Sequence, residues 1–200
     1  MSNRIGLINY GIAGNIRSIQ KALNTAGANT VVIDTAEQLV NVDKIVIPGV
    51  GSFPDAMKEL NKSKIMKHLI NEISTKPTLG ICLGMQILSR IGFEYGRTEG
   101  LNFFDAEVKP MLCDGKVPHM GFNKIHTQRA SELLKGIESE EFYFMHSYEV
   151  VNYRNILALS KYAGHEFVSA IQKDNIFGVQ FHAEKSRDAG IELFKNFINL

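Results

Sequence analysis

The chain has no tryptophan, two cysteines and five prolines in 200 residues. Two thiols, Cys82 and Cys113, cannot build the disulfide framework of a small secreted domain. They do not form a Cys-x-x-Cys pair, and the six histidines show no ligand spacing, so no metal site is expected. Charge of one sign is also missing: 22 Lys and Arg stand against 21 Asp and Glu. That balance gives no reason to expect a nucleic-acid or membrane surface. No apolar run approaches the roughly 18 residues of a membrane span, and the first residues enter a short strand without the apolar core of a signal peptide. The expectation is a cytosolic protein with reduced thiols, folded as one domain over residues 1–200 with a substantial core.

What is present alternates. Residues 4–9 form a short apolar run closed by a Gly-rich turn. Ile16, Ile19, Ala22, Leu23 and Ala26 then make a helical stripe over 15–26 that Gly27 stops. Strands are predicted at 30–33, 44–47 and 79–81, and helices at 52–60, 65–73 and 83–91. Ser52 and Asp55 stand in capping-box spacing at the start of the first of these. Strand and helix in alternation mean a parallel sheet with right-handed crossovers. After about residue 100 short strands dominate, at 107–109, 116–118, 123–126, 142–149, 156–160, 167–172 and 177–181. Asp174-Asn175 turns between the last two, and a helix over 188–198 closes the chain. With no linker in sight, the second half should extend the sheet or pack on it. An open α/β sheet binds its ligand at the carboxyl ends of the parallel strands.

A lone cysteine is ordinarily buried packing. Cys82 differs because Gly80 and Gly84 flank it at the junction of a strand and a helix. That is the layout of a nucleophile elbow, where a sharp turn holds a side chain out of the backbone. A helix N-terminus there also favours the thiolate. Cys113 has no such context and reads as structural. A hundred residues after Cys82, His182 and Glu184 follow an apolar strand. Beside a thiol they make sense as a base and the group that orients it; alone they could be a surface ion pair with Lys185 or Arg187. The turn Pro48-Gly49-Val50-Gly51 could aim backbone N–H groups into a site, or simply join a strand to a helix. Gly11 and Gly14 before a helix, with Asp34 after the next strand, superficially suggest a dinucleotide fingerprint, but the glycine spacing is wrong. Lys58, Lys62, Lys64 and Lys67 read as a solvated helix face, and His119 and His146 as possible core histidines.

Taken together, these stretches resemble the class-I glutamine amidotransferases, and more narrowly the glutaminase subunits of imidazole glycerol phosphate synthase. The subfamily likeness rests on residues 10–18, 48–57, 80–88, 118–123, 143–148 and 178–186. The resemblance implies a flavodoxin-like α/β fold: an open, mixed, mainly parallel sheet with helices on both faces. It implies that Cys82 attacks the side-chain amide of L-glutamine while His182, oriented by Glu184, moves the proton. Leu83 and the Gly49, Val50, Gly51 turn would hold the oxyanion, the turn after a peptide flip. Gln86, Glu94, His146, Ser147 and Tyr148 would hold the substrate. Asn15, Phe122 and Lys185 would face a (β/α)8 cyclase partner that takes up ammonia through a tunnel. No cofactor is implied. The chain departs from the subfamily in having Phe122 for Trp, Ala183 for Pro, and a 10–15 loop one residue longer. An alternative is a related subunit feeding ammonia to nucleotide-sugar amidination; a further one is a binding module with a vestigial triad.

Overall fold

The computed structural model describes residues 4–11 and 14–200. Ile12 and Ala13, within the longer 10–15 loop, lie outside the described residues. The first half alternates: β1 (Arg4–Ile8), α1 (Ile16–Thr25), β2 (Asn29–Ile33), α2 (Ala36–Val40), β3 (Lys44–Ile47), α3 (Phe53–Lys62), α4 (Met66–Ile73), β4 (Thr78–Ile81) and α5 (Leu83–Ile87). Strands follow: β5 (Ser89–Gly92), β6 (Thr98–Glu99), β7 (Phe104–Pro110), β8 (His119–Lys124), β9 (His126–Thr127) and β10 (Glu141–His146). Then come β11 (Tyr148–Val151), β12 (Ile156–Tyr162), β13 (His165–Lys173) and β14 (Ile176–Val179), before α6 (Arg187–Asn199).

The main sheet has eight strands in the order β2-β1-β3-β4-β14-β13-β12-β9. β2, β1, β3, β4 and β14 are parallel, and β13, β12 and β9 continue antiparallel. With β14 counted as the fifth parallel strand, the order is the flavodoxin-like 2-1-3-4-5. The side-chain period of two sends alternate apolar residues to opposite faces. Ile5, Leu7, Val46, Leu79, Ile81 and Val179 meet Leu23 of α1 and Leu193, Phe194 and Phe197 of α6. Ile8, Ile33, Ile45 and Ile47 meet Leu39, Phe53, Leu60, Leu69 and Met85 on the other face. Burial on both faces is why these strands read as continuous apolar runs. No helix among the described residues is long and apolar enough to cross a membrane.

Several expected elements change. The helix predicted over 83–91 stops at Ile87, and Ser89–Gly92 becomes a strand parallel to β7. The N–H groups of Leu101 and of Phe103 and Phe104 claim the Ile87 and Leu88 carbonyls, so tertiary pairing overrides helical spacing. The strand expected at 116–118 is irregular, since Pro118 has no N–H for a ladder. The 142–149 strand breaks at Ser147: β10 pairs with β8, whereas β11 joins β7 in a second sheet. The 123–126 strand breaks at Ile125 into β8 and β9, which belong to different sheets. Helix α2, capped by Thr35 and Gln38 in a reciprocal box, was not anticipated. The Asp174-Asn175 hairpin forms as expected, with Lys173 opposite Ile176.

Candidate active site

Cys82 follows β4 at the carboxyl edge of the parallel strands, with φ 52° and ψ −110°. That left-handed φ is uncommon for a residue with a Cβ and holds the side chain up from the turn. The surroundings explain the glycines. A Cβ on Gly84 would strike the Ile47 carbonyl, one on Gly80 would lie 2.7 Å from the Gly84 backbone, and one on Gly49 would lie 2.7 Å from Leu83 Cβ. Strand β3, strand β4 and the start of α5 therefore meet at van der Waals limits around the thiol. Because α5 is a single short turn, its dipole is smaller than the longer predicted helix would supply. A local donor adds to it: Gln180 Nε2 lies 3.5 Å from Cys82 Sγ.

His182 follows β14 at the same edge, its ring wholly buried. Nδ1 donates to Glu184 Oε1 at 2.8 Å, which leaves Nε2 as the nitrogen free to exchange a proton. Burial alone would disfavour the imidazolium, but charge on Cys82 and the Glu184 carboxylate raise its pKa above the ordinary value. Burial likewise opposes the Glu184 carboxylate, yet the donors His182 and Asn15 hold it below the ordinary range. The 182–186 turn is braced from beneath. Ser186 Oγ donates to the His182 carbonyl at 2.6 Å and accepts the Tyr143 N–H at 2.9 Å, while His182 N–H donates to the Tyr143 carbonyl at 2.8 Å.

Both groups line one cavity of about 230 Å³, bounded also by Val50, Gly51, Leu83, Gln86, Glu94 and the 145–148 segment. Sites for drug-sized ligands run to roughly 300–1,000 Å³, so this one suits a small metabolite. Glu94 Oε2 accepts the Phe53 N–H at 2.8 Å at the start of α3. Burial raises its pKa and that N–H opposes the rise. Gln86 Nε2 donates to the Tyr148 carbonyl and to Gln180 Oε1, both at 3.0 Å, so its amide braces the wall as well as lining it. Tyr10 donates its hydroxyl to the Pro48 carbonyl, just before the 49–51 turn, at 2.7 Å and is itself buried. No cluster of three or more His, Cys, Asp or Glu among the described residues could hold a metal.

Residues 7–200 match the family of class-I glutamine amidotransferases. The chain belongs to this family. It is 41% identical to the imidazole glycerol phosphate synthase subunit HisH 1 of Campylobacter jejuni, covering 98% of this chain and 100% of that one. It is 42% identical to the corresponding HisH of Desulfitobacterium hafniense over 96% of this chain and 92% of that one. Solved structures share the fold. The crystal structure of a glutamine amidotransferase superposes with TM-score 0.76 at 16% identity, covering 98% of this chain and 99% of that one. PurLQS from Thermotoga maritima gives 0.73 at 18% identity, covering 100% and 99%.

On this class-I amidotransferase, the three residues expected to face a partner are placed differently from one another. Phe122 is 38% exposed, edge-to-face with Tyr143 and under the Arg187 guanidinium. Lys185 is exposed, with Nζ 5.5 Å from the Tyr143 ring centroid. Asn15 is instead buried, its carboxamide donating to Glu184 Oε1 at 2.9 Å. His146 lines the cavity, but both ring nitrogens are engaged, with the Tyr148 carbonyl at 2.9 Å and His119 at 3.2 Å. Sequence reasoning missed Gln180, Ser186 and Tyr10 as parts of this amidotransferase site. Gln180 and Ser186 bracket the very motif that carries His182, and a polar residue inside the apolar run 177–181 was the signal for Gln180.

Proposed function

We propose that the chain is one glutamine amidotransferase domain over 1–200, a cytosolic glutaminase subunit of imidazole glycerol phosphate synthase. One observation carries the chemistry: a strained, buried Cys82 shares a small cavity with an oriented His182–Glu184 pair and an acidic wall residue, Glu94. A carboxylate at that wall fits the α-ammonium of free glutamine, and the backbone of Ser147 and Tyr148 with Gln86 fits its other polar ends. Cys82 Sγ adds to the glutamine side-chain carbonyl as its proton passes to His182 Nε2. The oxyanion is held by Leu83 N–H and by an N–H of the Gly49, Val50, Gly51 turn. Collapse breaks the C–N bond, His182 returns the proton to the leaving group, and ammonia departs from a glutamyl thioester. Water then gives a proton to His182 and adds to the thioester; the C–S bond breaks, His182 returns that proton to Cys82 Sγ, and glutamate leaves.

The ammonia passes to a (β/α)8 cyclase partner, where it completes the imidazole ring of imidazole glycerol phosphate and releases aminoimidazole carboxamide ribotide. HisH relatives at 41% and 42% identity over nearly the whole chain favour this acceptor over a nucleotide sugar. The solvent-facing aromatic and cationic group of Phe122, Lys185 and Arg187 suits the docking face. The test is glutamate release with and without the cyclase partner and its ribotide. Release should be slow alone and rise strongly with both, and Cys82→Ala should abolish it along with labelling by 6-diazo-5-oxo-L-norleucine. Normal stimulation in Cys82→Ala would overturn the reading.

A further inference from the structure

Asparagine is among the best helix N-caps because its side chain accepts a backbone N–H of the first turn. Asn15 occupies that position on α1 and makes no such bond. Its carboxamide reaches instead across 169 residues of sequence to Glu184 Oε1, at 2.9 Å. That same oxygen accepts His182 Nδ1–H at 2.8 Å. The donor assignment is forced, because a carboxylate can only accept; Asn15 must present its NH2. Asn15 is 6% exposed and the Glu184 side chain wholly buried, so water does not compete for the contact. Glu184 Oε2 and Asn15 Oδ1 are buried with no hydrogen-bond partner, so Asn15 is the only side chain besides His182 to donate to that carboxylate among the described residues.

We propose that Asn15 is a positioning residue of the catalytic centre, a fourth member that acts on Cys82 chemistry through Glu184 and His182. One lone-pair direction of Oε1 is spent on Asn15, which leaves the other fixed toward the imidazole. The ring is thereby held in the tautomer with Nε2 available to the thiol. Because Asn15 heads α1, it also ties the start of that helix to the triad carboxylate. This inference rests on the functional reading above but has a structural readout of its own.

The test uses the full chain and compares wild type with Asn15→Asp, which keeps the shape and reverses the donor, and with Asn15→Ala. Losing a hydrogen bond to a charged group should lower kcat for glutamate release by about tenfold or more, with KM for glutamine within about twofold. N15D should be the worse of the two. The acid limb of kcat/KM should move to higher pH in both, since a carboxylate without its donor protonates sooner. The low-field NMR signal of His182 Nδ1–H should shift in both, most in N15D. Should N15D fail to fold, N15A carries the same comparison. Unchanged kcat, pH limb and resonance in a folded variant would overturn the proposal and leave Asn15 as packing or a partner contact. If wild type releases no glutamate even with the cyclase partner and its ribotide, the functional reading falls, while the resonance still decides the Asn15 link.

Discussion

His146 shows how a single buried ring makes stability depend on pH. The Tyr148 carbonyl only accepts, so His146 Nδ1 at 2.9 Å must carry the ring proton. Nε2 is then the acceptor toward His119 Nδ1 at 3.2 Å. A second proton has no place to go. Burial pushes His146 down to about 4, with His119 and His182 adding to the fall and the Tyr148 carbonyl opposing it. His119, stacked between Phe144 and Tyr162, is lowered by burial too. An unfolded histidine titrates near 6.5, so between pH 6.5 and 4 His146 binds more protons in the unfolded chain than in the folded one. The His146 contribution to stability is therefore fully present above about 6.5 and is lost as pH falls toward 4, by about 3 kcal/mol. Urea unfolding across that window should show the loss. His146→Asn, which keeps a donor for the Tyr148 carbonyl, should be less stable at neutral pH but flatter in slope. An equally steep slope in the variant would remove His146 as the cause.

At the scale of elements, the β4–α5 elbow works because three chain segments touch without side chains between them. Two glycines there make unequal predictions. A methyl on Gly84 would meet the Ile47 carbonyl and lie 3.2 Å from the Pro48 carbonyl, both fixed backbone. A methyl on Gly178 of β14 would meet the Met85 side chain, which can turn away, and lie 3.1 Å from Ile171 Cγ1. Overpacking costs about 1–3 kcal/mol, and more when backbone must move. Gly84→Ala should sit at or above the top of that range and slow Cys82 alkylation. Gly178→Ala should sit near the bottom with alkylation little changed; chemical denaturation and thiol labelling check both. The elbow itself was legible because Gly80, Cys82 and Gly84 fall within five consecutive residues. The end of α5 was not: Leu88 and Ile91 suit a helix or a strand equally, and the choice is made by Leu101, Phe103 and Phe104, more than ten residues on. The breaks at Ser147 and Ile125 escaped for the same reason, since a strand that changes sheets keeps its apolar pattern.

Across the whole molecule the parallel sheet separates chemistry from anchorage. Tyr10 after β1, the Gly49–Gly51 turn after β3, Cys82 after β4 and His182 after β14 gather at the carboxyl edge. Motif spacing made Cys82, His182 and Glu184 readable; Gln180, Tyr10 and the Asn15–Glu184 contact depend on which loops that edge brings together. The amino edge carries a different device. Lys44 opens β3, is 5% exposed, and donates to the Phe197 and Ile198 carbonyls at 3.1 and 2.8 Å. These belong to the last turn of α6, where the helix dipole favours a cation. Helix α6 has 13 residues, so its C-terminus lies roughly 20 Å from the 182–186 turn at its other end. Lys44→Met keeps the apolar stem but removes the ammonium that donates to both carbonyls, at a cost of about 1–3 kcal/mol. A clamp at that distance should set stability and leave the reacting groups alone. The urea midpoint should fall while kcat for glutamine and the rate of Cys82 labelling stay within about twofold. If labelling slows in step with stability, α6 instead transmits the Lys44 contact along its length to Gly190, where it packs against the Ala183 carbonyl beneath His182.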